Sequence, residues 1–344
     1  MADVVTLTVA EVIEETADAR SIVFTVPDEH LERFAYSPGQ FLTLRIPSDR
    51  TGSVARCYSL SSAPHEGRVQ VTVKRTADGY GSNWVCDELR AGATIDVLRP
   101  SGVFCPSSLD SDFLLFAAGS GITPVMSILK SALEKGAGQV VLVYANRDEQ
   151  SVIFAAELRE LAERFGDRLT VVHWLESLQG LPTVTALRAL AKPYVGHEAF
   201  LCGPAPFMAA AQDALRELGA PRERVHVEKF HSLTGNPFAD EPEPVDDTAD
   251  EGGETTALTV DLDGETRQLS WPRQRKLLDH LLAEGLDAPY SCREGQCSAC
   301  ACRIVSGEVK MLNNEVLDAE DIADGIVLAC QSVPLTDEVS VSYE

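Results

Sequence analysis

Three things are scarce in this 344-residue chain, and each scarcity closes off a class of function. Positive charge is the first: 29 lysines and arginines stand against 53 acidic residues, a formal net charge of −24. Nucleic acids and anionic membranes are both gripped through clustered Lys and Arg, so neither is an expected partner. Long apolar runs are the second. The longest, Phe113 to Ala118, is far short of the roughly 20 residues that a membrane-spanning helix needs. A secretory leader is the third: Met1-Ala-Asp-Val-Val-Thr-Leu shows no basic region ahead of an apolar core, so a cytoplasmic protein is expected.

What the chain does have points elsewhere. At 44% hydrophobic and 24% charged, it has the composition of a globular protein long enough for two or three domains. Its nine cysteines are an odd number, and four of them crowd between Cys292 and Cys302. In a reducing compartment such crowding reads as metal binding rather than disulfides.

The rhythm of the sequence changes three times. Residues 1–107 carry short alternating runs (Thr6-Leu-Thr-Val, Ser21-Ile-Val-Phe-Thr-Val, Gln40 to Ile46, Val69-Gln-Val-Thr-Val, Ala93 to Leu98) punctuated by Gly, Pro, Asp and Ser, which predicts an antiparallel β-barrel. Residues 108–232 alternate buried strand runs, such as Phe113 to Ala118 and Val140 to Tyr144, with amphipathic helices, which predicts an α/β domain with a parallel sheet. Residues 233–256 are acidic, bear Pro and Gly, and hold few large apolar side chains, so a flexible, self-repelling linker is expected. Residues 257–344 read as a small α+β domain of the β-grasp kind: a hairpin turning at Asp263-Gly264, a helix from Leu277 to Glu284, and strands at Ile326 to Cys330 and Val339 to Tyr343.

The sharpest signal is Cys292-Arg-Glu-Gly-Gln-Cys297-Ser-Ala-Cys300 with Cys330 downstream. The spacing C-x4-C-x2-C…C is that of plant-type [2Fe–2S] ferredoxins, whose two irons take four thiolates. Small residues in the loop (Gly295, Ser298, Ala299) let the backbone wrap closely and turn amides toward sulfur. A structural zinc site is the rival, but such sites pair two C-x2-C knuckles and only one is present. A Rieske centre needs histidine ligands, and the chain holds no Cys-x-His pair. Cys302 is then a spare, expected as a small buried residue on the strand that follows.

This loop, standing behind the barrel and the α/β domain, resembles a plant-type ferredoxin fused to a ferredoxin–NADP⁺-reductase-like module. That is the layout of oxygenase reductase components. The resemblance implies a set of site residues. Arg56-Cys57-Tyr58-Ser59 fits the family's R-x-Y-S motif, with Arg56 for the FAD pyrophosphate, Tyr58 against the isoalloxazine ring and Ser59 at flavin N5. Val73-Lys-Arg-Thr-Ala-Asp-Gly-Tyr-Gly-Ser resembles the second FAD contact: Gly79 and Gly81 allow a tight turn, Ser82 is expected to cap a helix from Asn83 to Leu89, and Lys74 lies near the flavin or in solvent. Gly119-Ser-Gly121-Ile-Thr123-Pro124, after a strand and opening a helix, resembles the pyrophosphate loop for the nicotinamide dinucleotide. Cys202-Gly203-Pro resembles the element beside the hydride-bearing carbon, so Cys202 joins Ser59 as a candidate catalytic residue. Glu228 and Phe230 resemble the acidic and aromatic residues that close over the flavin, although an edge strand explains them equally well.

The expected flow is therefore NADH to FAD to [2Fe–2S] to a separate terminal oxygenase of the Rieske type. Hydride brings two electrons at once, the flavin divides them, and the cluster carries one at a time. NADH is chosen over NADPH because related reductases mostly use it; Asp148 disfavours a 2′-phosphate whereas Arg147 suits one. The acidic linker is expected to let the ferredoxin domain swing between reductase and oxygenase, and a monomer is the default. Phrases such as Tyr144-Ala-Asn-Arg-Asp and Ser291-Cys-Arg-Glu-Gly most resemble the reductase components of 3-ketosteroid 9α-hydroxylases of steroid degradation, with the reductases of phenylacetyl-CoA epoxidases next. From another class, a non-catalytic flavin and iron–sulfur redox sensor would have no use for the Cys202-Gly203-Pro element, and a scaffold with structural zinc would be colourless.

Overall fold

A computed structural model describes residues 4–230, 232–233, 235–238, 254–262 and 264–343. The first strands alternate as their sequence does: in β1 (Val4–Thr16), Val5, Leu7 and Val9 are buried between exposed neighbours. With β2 (Ala19–Thr25), β3 (Phe41–Ser48), β4 (Gly52–Ser59), β5 (Val69–Lys74) and β6 (Thr94–Ser101) it forms a six-stranded antiparallel sheet in the order β4-β3-β6-β1-β2-β5. Leu60, just past β4, bridges to Val71 of β5 and all but closes the barrel. Helix α1 (Tyr80–Glu88) lies between β5 and β6 in the chain and packs Val85 and Cys86 into the barrel core.

Every residue of β7 (Phe113–Ala118) and β8 (Val140–Asn146) is buried, as expected of strands covered on both faces. They join β9 (Leu169–Leu175), β10 (Glu198–Cys202) and β11 (Val225–Glu228) in a parallel sheet, order β11-β10-β7-β8-β9. Helices α2 (Ile122–Lys135) and α3 (Ala155–Arg164) pack on the face of Phe113, Leu115 and Ala117. Of the remaining three, α4 (Glu176–Gln179), α5 (Val184–Ala191) and α6 (Ala205–Glu217), the last two cover Leu114, Phe116 and Ala118 opposite. The chain runs outward from β7 through β8 to β9, then returns to β10 on the other side. The strand order thus reverses between β7 and β10, where open α/β sheets leave a ligand crevice.

The last unit comprises β12 (Thr255–Leu262), β13 (Glu265–Pro272), α7 (Leu277–Ala283), β14 (Ala301–Ser306), β15 (Val309–Met311), α8 (Ala319–Ala323), β16 (Ile326–Leu328), β17 (Ser332–Pro334) and β18 (Glu338–Ser342). Its main sheet has the order β13-β12-β18-β14-β16, with β12 and β18 parallel, around a core of Trp271, Leu277, Leu281 and Val341. These are the antiparallel flavin-type sheet, parallel dinucleotide-type sheet and β-grasp domain anticipated from the sequence.

Three local expectations need correcting. Helix α1 begins at Tyr80 and its N-cap is Gly79, not Ser82. Ser82 sits inside the first turn, where its hydroxyl accepts from the Thr76 amide at 3.0 Å and so ties the helix to the preceding loop. The strand expected through Cys330 stops at Leu328, and a 3₁₀ turn over Ala329–Gln331 presents Cys330. Finally, residues assigned by composition to the linker are docked at its start: Leu233 and Phe238 are buried against Ala55, Leu98 and Cys292. The Gly235 amide donates to Glu294 Oε2 at 2.6 Å, and Asn236 Nδ2 to Ser53 Oγ at 2.8 Å. Thr255 and Thr256 already belong to β12. The acidic stretch 239–253 lies outside the described residues, as does Asp263 of the expected hairpin turn.

Candidate functional site

The two stretches proposed for the flavin meet in space. Arg56 and Tyr58 share one face of β4, and a Cβ placed on Gly81 would come within 2.8 Å of Arg56 Cγ. Only glycine lets the first turn of α1 lie this close to the arginine. No side chain caps that helix, so its leading amides face outward beside a guanidinium, a donor set that suits a diphosphate. Arg56 Nη1 also donates to the Leu233 carbonyl at 3.2 Å. Tyr58 is half-buried against the barrel core, where burial raises its phenol. Cys57 and Ser59 take the other face of β4 and line a cavity of about 520 Å³. Lys74 is not brought to this place; its ammonium lies 3.8 Å from Asp18, beyond the cavity walls.

The nicotinamide elements converge at the switch point. Parallel register places Cys202 beside Glu228 on one side and beside Ala117 on the other. Gly119 to Thr123 leave β7 just beyond that level: Gly119–Gly121 form a 3₁₀ turn, and α2 carries Thr123 and Pro124 in its first turn. A Cβ on Gly121 would stand 2.2 Å from the Cys202 carbonyl oxygen and 2.6 Å from the Gly203 amide, so the loop and the strand end touch main chain to main chain. The Thr123 hydroxyl donates to the Ser120 carbonyl at 3.0 Å, and Tyr144 to Gly119 at 3.2 Å, holding the turn in shape. Cys202 is fully buried and packs with Phe104 and Phe200 rather than lining the cavity; burial and the nearby Glu228 carboxylate keep its thiol protonated. Glu228 and Phe230 do line the cavity. Glu228 is half-buried at the cavity wall, and this burial pushes its carboxyl up to about 8. Arg147, by contrast, reaches Asp18 at 3.2 Å, and Asp148 caps the turn over Glu149–Ser151.

The four proposed cluster cysteines come together between α7 and β17. Cys292, Cys300 and Cys330 are each no more than 3% exposed. Arg293, Gly295 and Ser298 all adopt left-handed backbone, which coils the loop around its own sulfurs. The amides of Glu294 and Gln296 donate to Cys292 Sγ at 3.4 and 3.2 Å, that of Cys292 to Cys297 Sγ at 3.2 Å, and that of Cys330 to Cys300 Sγ at 3.4 Å. Among the described residues no three potential ligands close on one point as a single ion requires. The thiols instead neighbour one another in series, Cys297 to Cys292 to Cys330 to Cys300, which suits two irons sharing four ligands. Cys302 is buried on β14 behind them.

Sequence reasoning passed over the way these parts face each other. The cavity is walled by β4 (Cys57, Ser59), by Phe41 and Phe104, by Glu228 and Phe230, and by Cys297 of the candidate cluster loop. All three domains therefore border one space. Exposed ion pairs join them at the edges, Arg99 with Asp287, and Arg222 with Asp318, Glu320 and Asp321. No local signal marks such contacts, because their partners lie 96 or more residues apart.

Comparison with known proteins agrees with this division. Residues 6–105 match a model for an oxidoreductase FAD-binding domain, 115–213 an oxidoreductase NAD-binding domain, and 260–335 a 2Fe-2S iron-sulfur cluster binding domain. Over 340 residues the chain is 61% identical to the ferredoxin reductase component of 3-ketosteroid-9-alpha-monooxygenase from Rhodococcus rhodochrous, covering 98% of this chain and 97% of that one. The chain belongs to this family of reductase components. It is an oxidoreductase with FAD, NAD and 2Fe-2S domains that serves a monooxygenase. A component of the 1,2-phenylacetyl-CoA epoxidase of Escherichia coli is more distant, 34% identical with 98% and 97% coverage. Phthalate dioxygenase reductase shares the fold: TM-score 0.58, 23% identity, 99% of this chain and 98% of that chain. No helix among the described residues of this reductase is long and apolar enough to cross a membrane.

Proposed function

We propose that this reductase takes hydride from NADH onto FAD and passes the electrons singly, through its own [2Fe–2S] cluster, to a separate Rieske-type oxygenase that hydroxylates 3-ketosteroids in steroid breakdown. The observation that carries the reading is the single cavity bordered by the flavin motif, by the acidic strand end of the dinucleotide domain and by a cluster cysteine. The full-length similarity to steroid monooxygenase reductases supports the choice of system.

Each residue has a part that its surroundings suit. Arg56 and the uncapped start of α1 at Gly81 and Ser82 would hold the FAD pyrophosphate, with Tyr58 and Ser59 at the ring. Gly119, Gly121, Thr123 and Pro124 would seat the dinucleotide diphosphate at the start of α2, with Gly203 and Cys202 across from them. Glu228, a proton-bearing acid at neutral pH, would face the ring from the cavity with Phe230 beside it. Cys292, Cys297, Cys300 and Cys330 would ligate the cluster, their amide donors stabilising charge on sulfur. When bound, the flavin converts a two-electron donor into one-electron steps that the cluster can accept. NADH is the proposed donor because Asp148, at the turn just after β8, disfavours a 2′-phosphate. The acidic stretch within 233–256 would tether the ferredoxin domain while it visits the oxygenase. Nine cysteines, none of them in a disulfide, suit the reducing cytoplasm.

The visible spectrum of purified protein before and after anaerobic NADH tests the core of the reading: flavin and cluster bands are expected, both bleaching. A colourless or zinc-bearing protein would refute it. Reconstitution with a steroid oxygenase or with the phenylacetyl-CoA epoxidase oxygenase then decides the partner, and turnover is expected with the first alone.

A further inference from the structure

Between the flavin motif and the cluster loop lies a small polar junction. Thr43 on β3 and Ser291, the residue before Cys292, bring their hydroxyl oxygens to 2.6 Å. Both side chains are about 1% exposed, and they belong to different domains, 248 residues apart in the chain. Cys57 stands opposite Thr43 in the β3–β4 ladder and completes a triangle, its sulfur 3.4 Å from the Thr43 hydroxyl and 3.7 Å from that of Ser291. Cys57 also borders the cavity next to Ser59, and it packs in the same cluster as Cys292 and Cys297.

We propose that Thr43 and Ser291 are positioning residues for electron transfer inside the molecule: their buried hydrogen bond sets the cluster loop at a fixed spacing from the flavin-motif strand. The inference rests on the reading of the cavity as the flavin seat. One route from Cys57 to Cys292 crosses a single non-bonded gap, the 3.7 Å to Ser291, and then a single peptide link. Electron tunnelling weakens far more across a gap than along bonds, so the rate along this route is sensitive to this spacing. The ion pairs that join the ferredoxin domain to the other two, Arg99 with Asp287 and Arg222 with Asp318, are exposed, and such pairs are screened and yield easily. A buried hydroxyl pair does not yield so easily, since parting it leaves each group only the weaker Cys57 sulfur as a partner. The step itself moves one electron from the NADH-reduced flavin to the oxidised cluster. No bond of the protein is made or broken, and any proton the flavin sheds leaves to water.

The test uses holoprotein and the variants Thr43→Val, Ser291→Ala and Ser291→Thr, mixed anaerobically with NADH in a stopped-flow spectrometer. Flavin bleaching should stay within twofold of the parent in all three. Cluster bleaching should slow at least tenfold in Thr43→Val and Ser291→Ala and recover in Ser291→Thr. Hydrogen exchange should rise at amides 290–297 in the slow variants, while the cluster reduction potential stays unchanged. Parental cluster bleaching in both Thr43→Val and Ser291→Ala overturns the proposal. Slowing with a shifted potential overturns it too, in favour of tuning the cluster. A parent protein whose flavin does not bleach with NADH would instead overturn the reading of the cavity, and this proposal with it.

Discussion

Glu228 is the residue whose chemistry depends most on its surroundings. Its carboxyl, ordinarily near 4.5, is pushed to about 8 by burial. Folding therefore favours the protonated form. The associated stability is whole below about 4.5 and drains away as pH rises through 8. Glu228→Gln should flatten this loss: thermal melts of FAD-loaded protein at pH 5 and pH 9 should differ less in the variant than in the parent. The same substitution should remove an inflection near pH 8 from the rate of flavin reduction. A different residue isolates the cluster. Cys300→Ser should lose the iron–sulfur absorbance and all reduction of the oxygenase, yet keep its FAD and reduce ferricyanide with NADH at nearly the parental rate, because the cluster stands downstream of both cofactors.

At the scale of elements, the two cofactor loops work by close approach. Gly121 lets the turn after β7 press on the end of β10, where a Cβ would stand 2.2 Å from a carbonyl oxygen. Gly121→Val must push loop and strand apart. Misplacing a substrate by an ångström costs on the order of 100-fold in rate, and a fall of that order in NADH-dependent flavin reduction is expected, with FAD content unchanged. Photometric FAD content and stopped-flow rates check both halves. Farther back, Lys130 of α2 is 5% exposed and holds Glu66 of the flavin domain at 2.8 Å and Glu157 of α3 at 3.1 Å. Lys130→Met removes the cation that two carboxylates share and should cost about 3 kcal/mol of stability, measurable by denaturant unfolding of the holoprotein.

At the scale of the whole molecule, the ferredoxin domain borders one cavity with the flavin motif. The proposed swing on its tether would present the same cluster elsewhere, to the oxygenase. Deleting part of 240–254 should slow reduction of the oxygenase severalfold and leave NADH-to-ferricyanide turnover unchanged, and equal slowing of both would refute a swinging domain. Arg222 pairs with three acidic residues around α8, but the pairs are exposed and each contributes at most about 1 kcal/mol. Arg222→Ala should therefore change cluster reduction by less than twofold, in contrast to the buried Thr43–Ser291 bond.

Much of this architecture is local in origin and was readable along the chain. Alternating apolar residues make barrel strands, unbroken runs such as Phe113 to Ala118 make buried parallel ones, and C-x4-C-x2-C draws three sulfurs into one loop, because in each case the pattern is satisfied by near neighbours. The limits of local reading show in Ser82, which looked like a helix cap until the tighter turn at Gly79 took that place, and in Leu233 and Phe238, which a spacer's composition concealed. Where a surface of another domain offers a groove, a few apolar side chains will fill it whatever the charge around them. The meeting of Gly121 with Cys202, of Gly81 with Arg56 and of Ser291 with Thr43 came only from packing. Those contacts join segments far apart in the chain, and no periodicity or spacing encodes which buried surfaces will find each other once the three domains close around one cavity.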